Sequence, residues 1–107
     1  MKVLIDGLNE FYSENVRLVK TLMKRESSEE YPKLLRWKLQ MLYFNGEWIE
    51  ICRIDNYLHE GQVGSHIHAN KKVKRVELSF EEADKMIKDI SSKILKEKFN
   101  EKIEFGD

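Results

Sequence analysis

The three histidines of this 107-residue sequence, His59, His66 and His68, lie close together in one short segment. Imidazole titrates near neutrality, so neighbouring histidines can act as acid and base or, when neutral, bind a metal ion. His66 and His68 are two residues apart, so on a strand both side chains leave the same face. This spacing suits an acid–base pair, or two ligands of a zinc-like ion completed by His59 or Asp55. A solvated or partner-covered face is the third interpretation.

Three polar residues, Arg53, Asp55 and Asn56, come just before the histidine segment. Arg53 and Asp55 share a strand face because side chains alternate with a period of two. An arginine there can stabilise a phosphate in its transition state, and an aspartate can orient an imidazole through its ring N–H. The alternative is a local Arg53–Asp55 ion pair that stiffens the end of the strand.

The only concentrated basic run follows directly after His68 and comprises Lys71, Lys72, Lys74 and Arg75. Basic side chains beside acid–base groups are typical of a site that cuts RNA, because phosphate contacts supply binding that is blind to sequence. The alternative is a solvated turn and strand edge, where lysines discourage edge-to-edge pairing of sheets.

Three aromatic residues, Trp37, Tyr43 and Trp48, lie in segments with strand-like alternation. Their rings could stack on nucleic-acid bases. Core packing is the favoured interpretation, because aromatic residues suit the pleated surface of a sheet.

The composition indicates one folded domain over residues 1–107, with 41% hydrophobic and 36% charged residues. The 19 basic and 19 acidic residues give no net charge, so binding to nucleic acid needs a local patch. The single Cys52 lies in an apolar alternating segment and is expected to be a buried thiol and not a nucleophile. With no apolar stretch long enough to cross a bilayer, and with Asp6 interrupting any signal-peptide core, we expect a cytoplasmic protein without membrane association.

Apolar residues recur at three- and four-residue steps between Gly7 and Glu26, which predicts an amphipathic N-terminal helix. From Leu35 the period changes to two, and the Asn45-Gly46 pair that follows predicts a hairpin with a type I′ turn. The second strand is expected to run from Glu47 towards Asp55. These elements would form the first half of the fold.

A further strand is predicted over Val73–Leu78, after the histidine segment and a turn at Asn70-Lys71. Ser79 and Glu82 match a capping box, which predicts the start of a C-terminal helix. The expected fold is α+β, with an N-terminal helix, a three- to four-stranded antiparallel meander, and a C-terminal helix packed on the sheet.

The run Arg53-Ile54-Asp55-Asn56, followed by His59 and then by Ser65-His66-Ile67-His68, resembles the signature of the TumE-like proteins. That small prokaryotic family has an Arg-x-Asp-Asn strand end, a nearby histidine, and a histidine-rich segment before a C-terminal helix. The resemblance in layout covers roughly Leu34 to Leu95. It implies the toxin half of a type II toxin–antitoxin pair, whose partner is usually a small helix-turn-helix antitoxin. Toxins of this size and layout are commonly ribonucleases.

The leading hypothesis is therefore a metal-independent ribonuclease without a cofactor. His66 and His68 would serve as general base and acid for attack by the ribose 2′-hydroxyl, Arg53 and Lys72 would hold the phosphate, and Asp55 would orient a histidine. The other candidate substrate-binding residues are Lys71, Lys74, Arg75, Asn56 and His59. A homodimer is a further possibility. Two alternatives stay open: a non-catalytic module that binds a protein or an ion, and a metal-dependent hydrolase with a His-x-His site.

Overall fold

The fold is a six-stranded antiparallel sheet in which each strand pairs with the next strand along the chain. A computed structural model describes residues 1–58 and 63–106. Its elements in chain order are β1 (Lys2–Ser13), β2 (Val16–Lys24), β3 (Leu35–Phe44), β4 (Trp48–Asp55), β5 (His66–Ala69), β6 (Lys72–Arg75) and α1 (Phe80–Phe99).

The predicted N-terminal helix over Gly7–Glu26 is wrong, because this segment forms the β1–β2 hairpin. Val16 and Leu18 are buried on the side of the sheet that bears α1, while Val19 belongs to the opposite face. A strand with apolar residues on both faces produces three- and four-residue spacings that resemble a helical pattern. The β-branched Val16, Val19 and Thr21 favour the extended backbone. The fold is therefore mostly β, with α1 the one helix among the described residues.

The predicted hairpin around Asn45-Gly46 is confirmed, but its turn is not the expected one. Phe44 pairs with Trp48, so the loop has three residues. Of the Asn-Gly pair only Gly46 has a positive φ, at 84°, whereas a type I′ turn needs a positive φ at both central positions.

The type I′ geometry occurs instead at the predicted Asn70-Lys71 turn. Ala69 and Lys72 are paired across it, and the two residues between them have φ values of 52° and 61°. Asparagine tolerates this left-handed region better than most residues, because its short side chain can bond to the local backbone. The tight turn keeps β5 and β6 in direct register.

The C-terminal helix α1 begins at the predicted capping box. The Ser79 hydroxyl accepts a hydrogen bond from the Glu82 N–H at 3.1 Å, and the Glu82 carboxylate accepts one from the Ser79 N–H at 2.9 Å. The helix ends at Asn100, whose left-handed φ of 53° closes the last turn. In the described part of the chain, no helix has the length and apolar character needed to cross a membrane.

The two faces of the sheet differ in what covers them. One face packs against α1 and forms the core, whose fully buried side chains include Leu18, Leu39, Met41, Ile54 and Ile87. We call the opposite side the open face, because no helix or strand of residues 1–58 and 63–106 packs on it. By strand register, the polar residues of the open face include Arg17, Arg36, Lys38, Gln40, Arg53, Asp55, His66, His68 and Arg75.

Cys52 lies in the core on β4 and is 1% exposed, as predicted for a buried thiol. Burial, with a smaller contribution from the Glu50 carboxylate, raises the pKa of the Cys52 thiol to about 12. Since the thiolate is the reactive form, this cysteine is unsuited to nucleophilic chemistry.

Cys52 is therefore expected to resist iodoacetamide at pH 8 in the folded protein and to react readily in denaturant. The low thiolate fraction alone predicts labelling about three orders of magnitude slower than for an ordinary thiol. Mass spectrometry of the time course measures this directly, and because Cys52 is the only cysteine the mass increase needs no assignment. Equal rates in folded and unfolded protein would contradict the burial.

Candidate functional site

A β-bulge in β4 determines which side chains reach the open face. Leu42 pairs with Glu50, whereas the preceding Met41 pairs with Cys52, so Ile51 is an extra residue in β4. An extra residue changes the phase of the side-chain alternation in the rest of the strand. Without it, Cys52 would lie on the open face and the charged residues after it would point into the core.

The bulge places Arg53 and Asp55 on the open face beside the histidines of β5. Arg53 pairs in register with His68, and Asp55 pairs with His66. On the other side of β4, Lys38 is the register partner of Asp55. Side chains of directly opposed residues lie close enough to interact. Two sequence-predicted features therefore meet: the Arg-x-Asp strand end and the His-x-His pair.

Arg53 is the centre of the contacts in this group. Its Nε donates to Asp55 Oδ2 at 3.0 Å, and its Nη2 lies 3.2 Å from His68 Nδ1. The third guanidinium nitrogen, Nη1, lies 3.6 Å from Glu50 Oε2. The other Asp55 oxygen, Oδ1, accepts from the backbone N–H of Tyr57 at 3.1 Å. The predicted Arg53–Asp55 ion pair is thus present and belongs to a larger network.

The two ring nitrogens of His68 have different neighbours. Arginine has only donors, so the Arg53 contact requires the lone pair of His68 Nδ1 as acceptor. The ring proton of a neutral His68 then lies on Nε2, which is 3.6 Å from Asp55 Oδ2. The two ring nitrogens of His68 therefore face an arginine and a carboxylate.

His68 opens into a cleft of about 280 Å³ on the open face, lined by Lys38, Arg53, Asp55, Tyr57, Leu58 and His68. The Tyr57 ring at its wall has the Arg36 guanidinium 3.9 Å and Lys38 Nζ 5.6 Å from its centroid. Cations over an aromatic face are attracted by its quadrupole, so Tyr57 holds two positive charges beside the cleft. By contrast, His66 is only 2% exposed.

Asn56, predicted to bind substrate, is buried and bonded to the backbone of β3. Its Oδ1 accepts from the Trp37 N–H at 2.8 Å, and its Nδ2 donates to the Leu35 carbonyl at 2.7 Å. The Tyr31 hydroxyl donates to the Asn56 carbonyl. The amide continues the β3–β4 pairing after β4 has ended, so we assign it a structural role.

Ser65 fixes the start of β5 in a similar way. Its hydroxyl donates to the Val76 carbonyl and accepts from the Leu78 N–H at 2.9 Å. The preceding Gly64 has a φ of 119°, and a Cβ there would collide with the Glu77 carboxylate. This left-handed conformation at a close approach favours glycine.

The predicted basic run does not form one patch at the site. Lys71 lies in the β5–β6 turn, and register places Lys72 and Lys74 on the side of the sheet that bears α1. Arg75 is the register partner of His66 on the open face. The Nη2 atom of Arg75 lies 4.0 Å from Glu77 Oε1. The run therefore lines a strand edge.

His59 lies outside the described residues, so its predicted substrate contact stays a prediction. Among residues 1–58 and 63–106, no group of three or more His, Cys, Asp or Glu side chains is arranged to hold a metal ion. The three-histidine metal site considered from the sequence needs His59 and is therefore not addressed by the described part.

Sequence reasoning missed Lys38, Arg36 and Tyr57 as parts of the site. Alternation in β3 does assign Arg36 and Lys38 to the side opposite Trp37. Asp55 lies on that same side only because of the β4 bulge. A signal exists in the apolar pattern, which changes from odd positions (Ile49, Ile51) to even positions (Cys52, Ile54). Such a change of phase marks a bulge.

Comparisons with known proteins add no relative. No protein-family model, no curated protein and no solved structure matches this chain.

Proposed function

We propose that this protein is a toxin-like ribonuclease of a type II toxin–antitoxin system that cuts RNA without a metal ion. The observation that carries the proposal is the position of His68, held between Arg53 and Asp55 in a cleft that Lys38 also lines. An imidazole, an orienting carboxylate and two cations are the groups needed for attack of a ribose hydroxyl on its neighbouring phosphate.

In the resting protein the lone pair of His68 Nδ1 accepts from Arg53. A phosphate oxygen is a stronger partner for guanidinium, since the pair is charge-assisted and fits a two-point contact. When RNA draws Arg53 onto its phosphate, Nδ1 is left to take the proton of the 2′-hydroxyl. Asp55, facing Nε2, stabilises the imidazolium that results, as a buried carboxylate does in other histidine-based sites.

The 2′-oxygen then attacks phosphorus and the bond to the 5′-oxygen breaks, which leaves a 2′,3′-cyclic phosphate. Arg53 and Lys38 neutralise the charge that builds on the phosphate oxygens. We give Lys38 the phosphate-holding role predicted for Lys72, because Lys38 lines the cleft. Lys38 is also our candidate for the acid that protonates the departing oxygen. His66 is buried and is the register partner of Asp55, and we assign it no chemical step.

The resemblance to TumE-like proteins adds the biological setting to the proposal. A toxin of this kind would act in the cytoplasm and would be held inactive by a helix-turn-helix antitoxin. An adjacent gene for such an antitoxin supports this setting. Its absence would weaken the toxin assignment but leave the cleavage chemistry to be tested separately.

The test of the proposed chemistry is incubation of the purified protein with a short single-stranded RNA in EDTA. We expect cleavage products with 2′,3′-cyclic phosphate ends, identified by mass spectrometry. A single 2′-deoxy nucleotide at the cleaved position should abolish cutting there, because the attacking oxygen is missing. RNA that stays intact under all conditions contradicts a ribonuclease, and cutting that needs a divalent cation indicates the metal-dependent alternative.

A non-catalytic binding module is the second candidate. The observation in its favour is that Arg53, Asp55 and His68 already satisfy one another in the resting site, as in a purely structural network. This candidate predicts that RNA or a protein partner binds without being changed. Stoichiometric binding together with intact RNA supports it over the nuclease.

A further inference from the structure

A second cluster on the open face combines exposed aromatic rings with an arginine and has no role in the proposed chemistry. Trp48 lies at its centre, with ring centroids 6.3 Å from Phe11 and 5.3 Å from Phe44. The Arg17 guanidinium lies over the same indole at 4.4 Å and near the Phe11 ring at 6.0 Å. We call these four residues the aromatic cluster.

The outer rings of the aromatic cluster are accessible. Phe11 is 60% exposed and Phe44 is 39% exposed. Exposed rings on a charged sheet face cost solvation free energy unless something covers them. Arg17 Nη1 donates a hydrogen bond to Asn9 Oδ1 at 3.1 Å. This bond holds the positive charge of Arg17 among these rings.

The charge of the whole open face favours a polyanion as the occupant. Its strand positions hold the cations Arg17, Arg36, Lys38, Arg53 and Arg75 and the carboxylates Glu50 and Asp55. Cations are thus in excess at these positions of β2 to β6, although the chain has no net charge. A positive surface with exposed rings is the combination that binds single-stranded nucleic acid, where phosphates meet cations and bases stack on aromatic side chains.

The distance between the aromatic cluster and the cleft can be spanned by one short RNA strand. Phe44 and Lys38 lie on the same face of β3, six residues apart, which corresponds to roughly 20 Å. Phe44 pairs with Trp48 at one end of this path, and Lys38 pairs with Asp55 at the other. A few nucleotides span that length, so one strand can contact both places.

We infer that the aromatic cluster is a base-stacking platform for single-stranded RNA, whose bases lie on Phe11 and Phe44 while a phosphate a few nucleotides away occupies the His68 cleft. The inference deepens the proposed function and rests on it for the position of the scissile phosphate. The platform itself is a binding surface, so its test does not depend on cleavage.

The test measures binding of a 2′-O-methyl RNA oligonucleotide, which cannot be cut by its own hydroxyl. Trp48 is the reporter, because the other tryptophan, Trp37, is buried against α1 and should not respond. We expect the oligonucleotide to quench the fluorescence of the wild-type protein with saturation. Salt should weaken the binding, since phosphate contacts release counterions.

Variants at Phe11 then test stacking. Phe11→Ala should weaken binding roughly ten-fold, whereas Phe11→Tyr should bind like the wild type because it keeps the ring. Leu8→Ala is the matched control: Leu8 is an exposed apolar residue of the same strand, on the face that bears α1. Both alanine variants change surface residues, and a thermal unfolding curve checks that each is folded.

The outcomes separate this inference from the proposed function. Weaker binding by Phe11→Ala with RNA that is never cut supports the platform and contradicts the nuclease. Normal binding by Phe11→Ala in a protein that cuts RNA overturns the platform alone. If the wild type sediments as a dimer that Phe11→Ala dissociates, the platform is overturned, because the rings then face a second copy of the chain.

Discussion

Replacement of His68 by alanine is expected to lower the rate of RNA cleavage by about 10³-fold, within the range for a lost general base. His68 is the imidazole that opens into the cleft, and its Nδ1 is the nitrogen that Arg53 would release on binding phosphate. The 2′-hydroxyl would then lose the base that the proposed mechanism gives it. Single-turnover kinetics with excess protein measure this chemical step without contributions from product release.

Two variants make the His68 result interpretable. Val73→Ala changes the residue paired with His68 on β6, which is exposed on the same face, and should leave the rate unchanged. His66→Ala should lower the free energy of unfolding, because His66 is buried. It should lower the cleavage rate of the folded protein less than His68→Ala does. A folded His68→Ala protein that cuts RNA at the wild-type rate would contradict the mechanism. An equal loss of cleavage rate in Val73→Ala would show that the effect is not specific to His68.

The parts of the fold that sequence predicts well are those with one dominant periodicity. β3 alternates between apolar and polar residues over its whole length, and the Asn-Gly pair after it marks the hairpin even though the turn type differs. The capping box of α1 is similarly local, because Ser79 and Glu82 satisfy each other's backbone groups. In these places short-range chemistry determines the structure.

The β1–β2 hairpin could not be predicted in this way because its pattern fits two periods. Val16, Leu18 and Val19 place apolar side chains on both faces of β2, so strict alternation is lost. Pairing of β2 with β3 favours the strand conformation over a helix, and this contact is not local in sequence. Because Arg17 and Phe11 were assigned to this helix, their position on the open face of the sheet was not predicted.

The sequence pattern predicted which residues of the candidate site share a strand face, but not what surrounds them. The two-residue spacing correctly gave Arg53 and Asp55 one face, and His66 and His68 one face. Which faces coincide depends on the single extra residue at Ile51, and a shift of one position would have sent both charged residues into the core. Residues from other strands, such as Lys38, become visible only once that register is known.

Replacement of Asn56 by aspartate is expected to lower the free energy of unfolding by roughly 2–3 kcal/mol at pH 7, the cost of a buried polar group left without its partner. The change keeps the shape of the side chain. It also keeps an oxygen for the Trp37 N–H, but it replaces the Nδ2 donor with an oxygen that faces the Leu35 carbonyl. Asn9→Asp is the control, because Asn9 is exposed and the same chemical change there should cost less than about 0.5 kcal/mol.

The pH dependence of this loss separates hydrogen bonding from simple misfit. An aspartate buried at position 56 against a carbonyl should have a pKa raised above its unfolded value of about 3.9, because only the protonated form can donate to Leu35. The folded state of Asn56→Asp then binds more protons than the unfolded state, so its stability falls as pH rises. Below the unfolded pKa the carboxyl is protonated in both states, and the deficit relative to wild type should largely vanish. Urea unfolding of wild type, Asn56→Asp and Asn9→Asp at several pH values between 3.5 and 7 measures the difference. A deficit that is the same at every pH would mean that Asn56 matters through packing and not through the bond that it donates to β3.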